Sequence, residues 1–312
     1  MHIYEMDPLF KKYIILSKGA VWRESRTCMS HFFTASKLKA VMPSLLHAQQ
    51  QFIDVLGEHA DSGIEADINS LCERFTFDVI GKSAFGIDTN VQRNPEMPMF
   101  RAALDVLPNL NSGLVYNLGP PLPSETLNQM SANCMTVFLG GYDTTRLAFT
   151  YWFYLMGKHQ DVQEKMREEV IRAFEKEFYI HRFTSRCPDK DYCYGKYLIK
   201  KGTSVMVPTY QLHHDPKYWD HPEKFVPERF SPENKGRINP TVYQPFGLGP
   251  RICIGQRLAQ VELASATTEV LRHYRIMLGT SQKKDLELDT YSHLAVPKEA
   301  VKIRLHRLSR EK

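Results

Sequence analysis

In the stretch PFGLGPRICIGQRLA, Cys253 stands among Gly247, Gly249 and Gly255, directly ahead of an apolar-periodic run. Glycines at 247 and 249 permit a positive φ and let the main chain approach a flat ligand that side chains would hold away. A cysteine at a helix N-terminus sees the positive end of the dipole and free N–H donors, both of which favour the thiolate. The thiolate is the form that binds iron, and its electron donation favours O–O cleavage. Arg251, two residues earlier, offers a guanidinium fork to a carboxylate of such a ligand. The competing reading is a glycine-rich turn capping a helix, with a buried, inert cysteine.

A second constellation, Gly140-Gly141-Tyr142-Asp143-Thr144-Thr145, lies inside a long apolar run. Two glycines in an exposed helix interior cost about 1 kcal/mol each relative to alanine. Together with threonine hydroxyls bonded to backbone carbonyls, they widen a helix and open a groove for a small ligand or water. Asp143 and Thr144 then supply a carboxylate and a hydroxyl beside that groove, a relay for delivering protons. The plainer alternative is a kinked core helix with a solvated aspartate. Arg146 stands where a small or apolar residue is expected, and the sequence offers no reason for it. Trp22 and Arg26, one turn apart, can share a helix face. His213 and His214 read as structural, because no third ligand is spaced to join them on a metal.

These residues need elements to position them. From Trp22 to about Gly86 the apolar spacing predicts helix, broken locally at Pro43, with a second periodic stretch ending at Gly86. Residues 94–123 are rich in Pro, Gly and Asn and read as loop. Ser124 is the expected N-cap of a long, mostly buried helix through the Gly-Gly segment, followed by a charged helix. YLIKKGTSVMVPTY reads as two strands about a turn at Lys201 and Gly202, and HDPKYWDHPEKFVPERF as irregular chain. The last helix follows Cys253, with Leu258, Val261, Ala264, Thr268 and Leu271 as its apolar stripe.

The 312 residues, 43% hydrophobic, suffice for a buried core. A charge of +5, spread without a long basic run, argues against nucleic acid as the main partner. The six cysteines show no C-x-x-C pair or zinc spacing, and no signal peptide opens the chain, so thiols in a reducing compartment fit best. No apolar run reaches the 18 or so residues of a membrane span; the nearest, around Val137 to Met156, carries Asp143 and Arg146.

Phe246, Gly249, Arg251, Cys253, Gly255 and Ala259 together resemble the haem-binding loop F-x-x-G-x-R-x-C-x-G of the cytochrome P450 family, with its following alanine. The Gly-Gly segment is similar to that family's oxygen-activation motif, (A/G)-G-x-(D/E)-T-(T/S), in the right order along the chain. The resemblance covers most of the sequence and is closest to microsomal drug- and toxin-metabolising members. It implies one partial domain over residues 1–312, mainly α with a small β-sheet. It implies haem (iron protoporphyrin IX) ligated by Cys253, with Phe246, Gly247, Gly249 and Gly255 in its loop. Arg251, the pair Trp22 and Arg26, and Arg186 correspond to residues that contact haem propionates; Asp143 and Thr144 correspond to the proton-delivery pair. Pro227, Glu228, Arg229 and Phe230 look like the family's meander.

The implied activity is insertion of one oxygen atom of O2 into an apolar small molecule, with electrons from NADPH through NADPH-cytochrome P450 reductase and cytochrome b5 as a further candidate donor. The implied location is the cytoplasmic face of the endoplasmic reticulum membrane. Three expected pieces are missing: the N-terminal anchor with the first helices and strands, the central roof helices, and the helix bearing E-x-x-R. Glu164 with Arg167 and Glu169 with Arg172 fit E-x-x-R but read as solvated ion pairs. Without that helix, Arg229 is expected to be left as an unpaired, partly buried charge. A catalytically silent fragment and a cofactor-free helical interaction protein remain the alternatives.

Overall fold

A computed structural model describes residues 13–104, 125–169, 184–282, 285–289 and 294–308, with backbone alone for 125–131. The helices and strands, in chain order, are α1 (Gly19–Ser30), α2 (Ala35–Ser62), β1 (Ala66–Asp67), α3 (Ile68–Phe85), α4 (Glu125–Lys158), α5 (Gln160–Glu169), β2 (Thr184–Arg186), β3 (Tyr192–Tyr194), β4 (Tyr197–Ile199), β5 (Val205–Val207), α6 (Thr209–His213), α7 (Pro232–Lys235), α8 (Gln256–His273), β6 (Tyr274–Leu278) and β7 (Lys302–Arg307). The protein is therefore mainly helical with small antiparallel sheets. It divides into two compact units: Met1–Glu175 with Ile254–Ser292 and Val296–Lys312, and Lys176–Cys253 with His293–Ala295.

The first unit is built on the seam between α3 and α4. Asp67 caps α3 by accepting from the Ser70 N–H at 3.3 Å, and Gly86, at φ +67°, ends it as the sequence predicts. Phe75 of α3 stacks on Phe52 of α2 at 4.6 Å and meets the edge of Phe149 of α4 at 5.4 Å. Phe77, Phe138 and Tyr142 continue the aromatic layer toward Phe100. Edge-to-face contacts of this kind add roughly 0.5–1.5 kcal/mol each to the area buried. A three-stranded sheet, ordered β1-β7-β6, closes the unit with Ile276 opposite Leu305. The Gln163 amide of α5 bonds both ways to Ile276, donating at 2.8 Å and accepting at 2.9 Å.

The second unit pairs β2 with β5 and β3 with β4. Trp219, Phe230 and Tyr243 cluster in its proline-rich part, and the Trp219 indole donates to Leu212 O at 3.0 Å. Buried His213 accepts the Gln244 N–H at Nε2, 3.0 Å, which requires that nitrogen to be neutral; burial holds its pKa down at about 4. Both observations give His213 a structural role.

Four sequence expectations need correction. The 28-residue helix α2 runs through Pro43, because Pro43 is exposed, so water can take the freed carbonyl, while Leu45, Phe52 and Leu56 bury the face beyond it. Residues 98–104 are helical, not loop, with Phe100 packed in the aromatic layer. The strands flanking Lys201 and Gly202 do not pair with one another: the Gly202 N–H bonds Pro188 O, and each strand finds an earlier partner. The buried face of α8 is Glu262, Leu263, Ala266, Thr267, Val270 and Leu271, so the proposed stripe shares only Leu271 with it. A count of apolar residues passes over Glu262 and Thr267, which the core takes in. Ser124, the expected cap of α4, lies outside the described residues.

Candidate functional site

In the second unit, the cysteine loop is held by its own backbone. Gly247 and Gly249 both adopt φ +77°, and a Cβ built on either meets nothing within 4 Å. The glycines are thus required for conformation, and the space in front of the loop stays open. The Cys253 N–H donates to Phe246 O at 2.8 Å, closing the loop, and Ile252 N–H to Gly249 O at 3.0 Å makes the short 3₁₀ turn that carries Arg251. Cys253 is exposed, three residues ahead of α8, whose N-cap is Gly255; the Ala259 N–H opens that helix on Gly255 O at 3.0 Å.

Arg186 of β2 donates to Leu248 O at 3.0 Å, so the strand arginine sits against the loop between its two glycines. Arg229 is not stranded as the sequence predicted. Its guanidinium donates to the carbonyls of Asp220, His221 and Lys224, the latter two at 2.7 and 3.3 Å, so the meander satisfies it internally.

The Gly-Gly segment lies in α4, in the first unit. Its two glycines have different reasons. A Cβ at Gly141 would stand 2.5 Å from Ile80 Cδ1, so this glycine lets α3 approach; a Cβ at Gly140 would meet nothing. Thr144, one turn on, shares the open face of Gly140 and donates to its carbonyl at 2.6 Å. Asp143 faces the other way. Its carboxylate is buried and accepts from Arg146 Nε at 3.0 Å and from Nη2 at 2.5 Å. Arg146 also donates to Asn69 Oδ1 and lies 3.7 Å from Glu73, both on α3. The arginine the sequence could not account for is therefore the centre of a buried ionic cluster in the seam. Asn69 and Glu73 were missed, although their spacing of four, which puts both on one face of α3, is the signal for them.

Trp22 and Arg26, both half-buried, share one face of α1 as their spacing predicts. Glu164 is more than a solvated partner: it pairs with Arg167 at 3.1 Å and Arg275 at 2.9 Å, and Arg167 reaches the Leu271 and Tyr274 carbonyls, tying α5 to α8 and β6. Arg172 lies outside the described residues.

A mainly helical fold with a glycine-framed cysteine loop and a Gly-Gly-x-Asp-Thr helix is the combination for which the sequence resembles the cytochrome P450 family. The model of the family described as Cytochrome P450 matches residues 2–127, 123–182 and 176–305. The chain belongs to the cytochrome P450 family, whose members are haem-dependent monooxygenases. It is similar to Cytochrome P450 3A41 of Mus musculus, 26% identical over 352 residues that cover 85% of this chain and 70% of the relative. Cytochrome P450 6A1 of Musca domestica is 26% identical over 388 residues, covering 96% and 76%. Lithocholate 6-beta-hydroxylase of Mesocricetus auratus is 26% identical over 351 residues, covering 85% and 70%. These alignments are longer than the 312-residue chain itself, so each relative carries internal segments that face gaps here.

Proposed function

We propose that this chain is the haem-bearing part of a monooxygenase that inserts one atom of O2 into an apolar small molecule, drawing electrons from NADPH through a reductase at the endoplasmic reticulum membrane. The observation that carries the reading is the Cys253 loop: two glycines at φ +77° with open space before them and an exposed thiol. That arrangement fits haem, since a flat macrocycle needs backbone approach and a thiolate needs free access. Bound there, haem supplies the redox and oxygen chemistry that no side chain can.

The chain's own residues do the rest. Cys253 would hold the iron. Arg251 and Arg186, and separately Trp22 with Arg26, would take up propionate charge; for Arg186, the bond to Leu248 O, which sets it against the cysteine loop, supports this. Thr144, whose hydroxyl is on the open face of α4, would pass protons, and Asp143, the carboxyl one residue earlier that bonds Arg146 in the seam, would be the acid of the pair that the family resemblance implies. The test is reconstitution of the chain with haem. The reduced carbon monoxide complex of wild type is expected to show the red-shifted Soret band of a thiolate ligand, and Cys253→Ser to abolish it. Survival of the band in Cys253→Ser rules out the ligand assignment.

The gaps against the relatives favour a second reading, a fragment that takes up haem without turnover. NADPH-dependent oxidation of a generic apolar probe separates the two.

A further inference from the structure

The pairing of Asp143 with Arg146 leaves a second carboxyl group, Glu73, on the other side of the same guanidinium. We propose that Glu73 is the proton-bearing carboxyl of this cluster and the point at which protons enter it from water. The proposal rests on the monooxygenase reading for what the protons are used for, and on geometry alone for where they sit.

Two carboxyl groups share one guanidinium in the interior, and if both were ionised the cluster would bury a net negative charge. Interiors exclude such a charge far more strongly than a neutral acid, so one of the two takes up a proton. Geometry decides which. Asp143 receives two hydrogen bonds from Arg146 and its side chain is 5% exposed; Glu73 stands 3.7 Å from the guanidinium, beyond hydrogen-bond distance, and its side chain is 17% exposed. Asp143 is therefore the partner of the cation, and Glu73 the acid at the solvent edge.

The charged groups acting on Glu73 are Arg146 and Asp143 from α4, Asp67 from β1 and Arg74 from its own helix. Burial is the largest influence and pushes its pKa up; Arg146 opposes it, and Asp143 and Asp67 add to it. Release inward is charge-neutral. If Arg146 swings from Asp143 to Glu73, Glu73 gives up its proton as it gains the guanidinium, and Asp143 takes a proton as it loses it. Reversal, with uptake from water at Glu73, resets the cluster. The proton then rests on Asp143, buried in the α3–α4 seam one residue before Thr144 in the chain.

The experiment uses the full chain without haem, labelled with 13C at glutamate carboxyls and read by infrared spectroscopy, which separates protonated from ionised carboxyl groups. At neutral pH the wild type is expected to show a protonated glutamic acid signal with two parts. One exchanges rapidly in D2O and disappears in Glu73→Gln; the other exchanges slowly and belongs to Glu262, fully buried in α8, disappearing in Glu262→Gln. Asp143→Asn should hand the guanidinium to Glu73 and so remove the fast part as well, an effect that a purely structural Glu73 would not give. If Glu73→Gln leaves the signal unchanged, if the part it removes exchanges slowly, or if Asp143→Asn preserves the fast part, the proposal is overturned. None of these outcomes depends on haem, so a failed Soret test sinks the monooxygenase reading without touching this one.

Discussion

The glycines of α4 allow the groove and the seam to be tested apart. Gly140 has open space where a side chain would go, so Gly140→Ala is expected to stabilise the chain by about 0.5–1 kcal/mol through the unfolded state and helix propensity. Gly141→Ala gains the same propensity but drives a methyl into Ile80, itself buried, and overpacking of this kind costs typically 1–3 kcal/mol. Urea unfolding of the two variants should move the midpoint in opposite directions; equal shifts would mean that the close approach of α3 and α4 is not what Gly141 serves. In any haem-loaded form that turns over, Thr144→Ala should keep haem content and divert reducing equivalents to released hydrogen peroxide, because the hydroxyl beside Gly140 O is gone. The ratio of NADPH consumed to product formed measures this, and an unchanged ratio removes Thr144 from the relay.

Among the elements, α8 carries a cost that pH exposes. Glu262 is fully buried on its core face, with Oε1 lacking a partner among the described residues, and burial pushes its pKa well above the ordinary 4.5. A carboxyl whose pKa is raised on folding stabilises the native state fully below its unfolded pKa and loses that contribution as pH rises through the folded value. Stability should therefore fall from about pH 4.5 upward, and Glu262→Gln should flatten the slope, its advantage over wild type growing with pH. Thermal melts at a series of pH values check this; parallel curves would place Glu262 in water. The same helix shows what patterning reveals and what it does not. Gly86 as a stop, the long α4 and the irregular meander are legible, because each is written in local chemistry: a positive φ, a run of apolar residues, a density of prolines. The buried face of α8, the path of α2 through Pro43 and the partners of β4 and β5 are not, because tertiary burial and distant strands decide them. The backbone of the cysteine loop was legible, since its turn is made by its own glycines at positive φ. The Asp143 cluster was half legible: Arg146 stood out as an anomaly, but Asn69 and Glu73 lie on α3, far away in sequence.

At the scale of the molecule, the question is whether these parts hold haem as they stand. The meander arginine does not weaken the chain, because Arg229 finds three backbone carbonyls. What remains is the length of chain missing opposite the relatives, whose alignments extend to 352 and 388 positions. Segments absent from the middle of a haem protein leave the cofactor's faces open to water, which weakens the fields that act on it and lets reactive species decay unproductively. They also remove apolar surface from a fold whose margin is only about 5–15 kcal/mol. We therefore expect residues 1–312, expressed with a haem precursor, to take up haem well below one per chain and to show little NADPH-dependent oxidation with a reductase present. The measurement is haem stoichiometry by absorbance, together with the stability of the thiolate spectrum over time. Inserting the corresponding segments of a relative should raise both, since the Cys253 loop is already shaped by its own backbone. Near-stoichiometric haem, a lasting thiolate band and coupled turnover in the unmodified chain would show that the loop and the α3–α4 seam suffice by themselves.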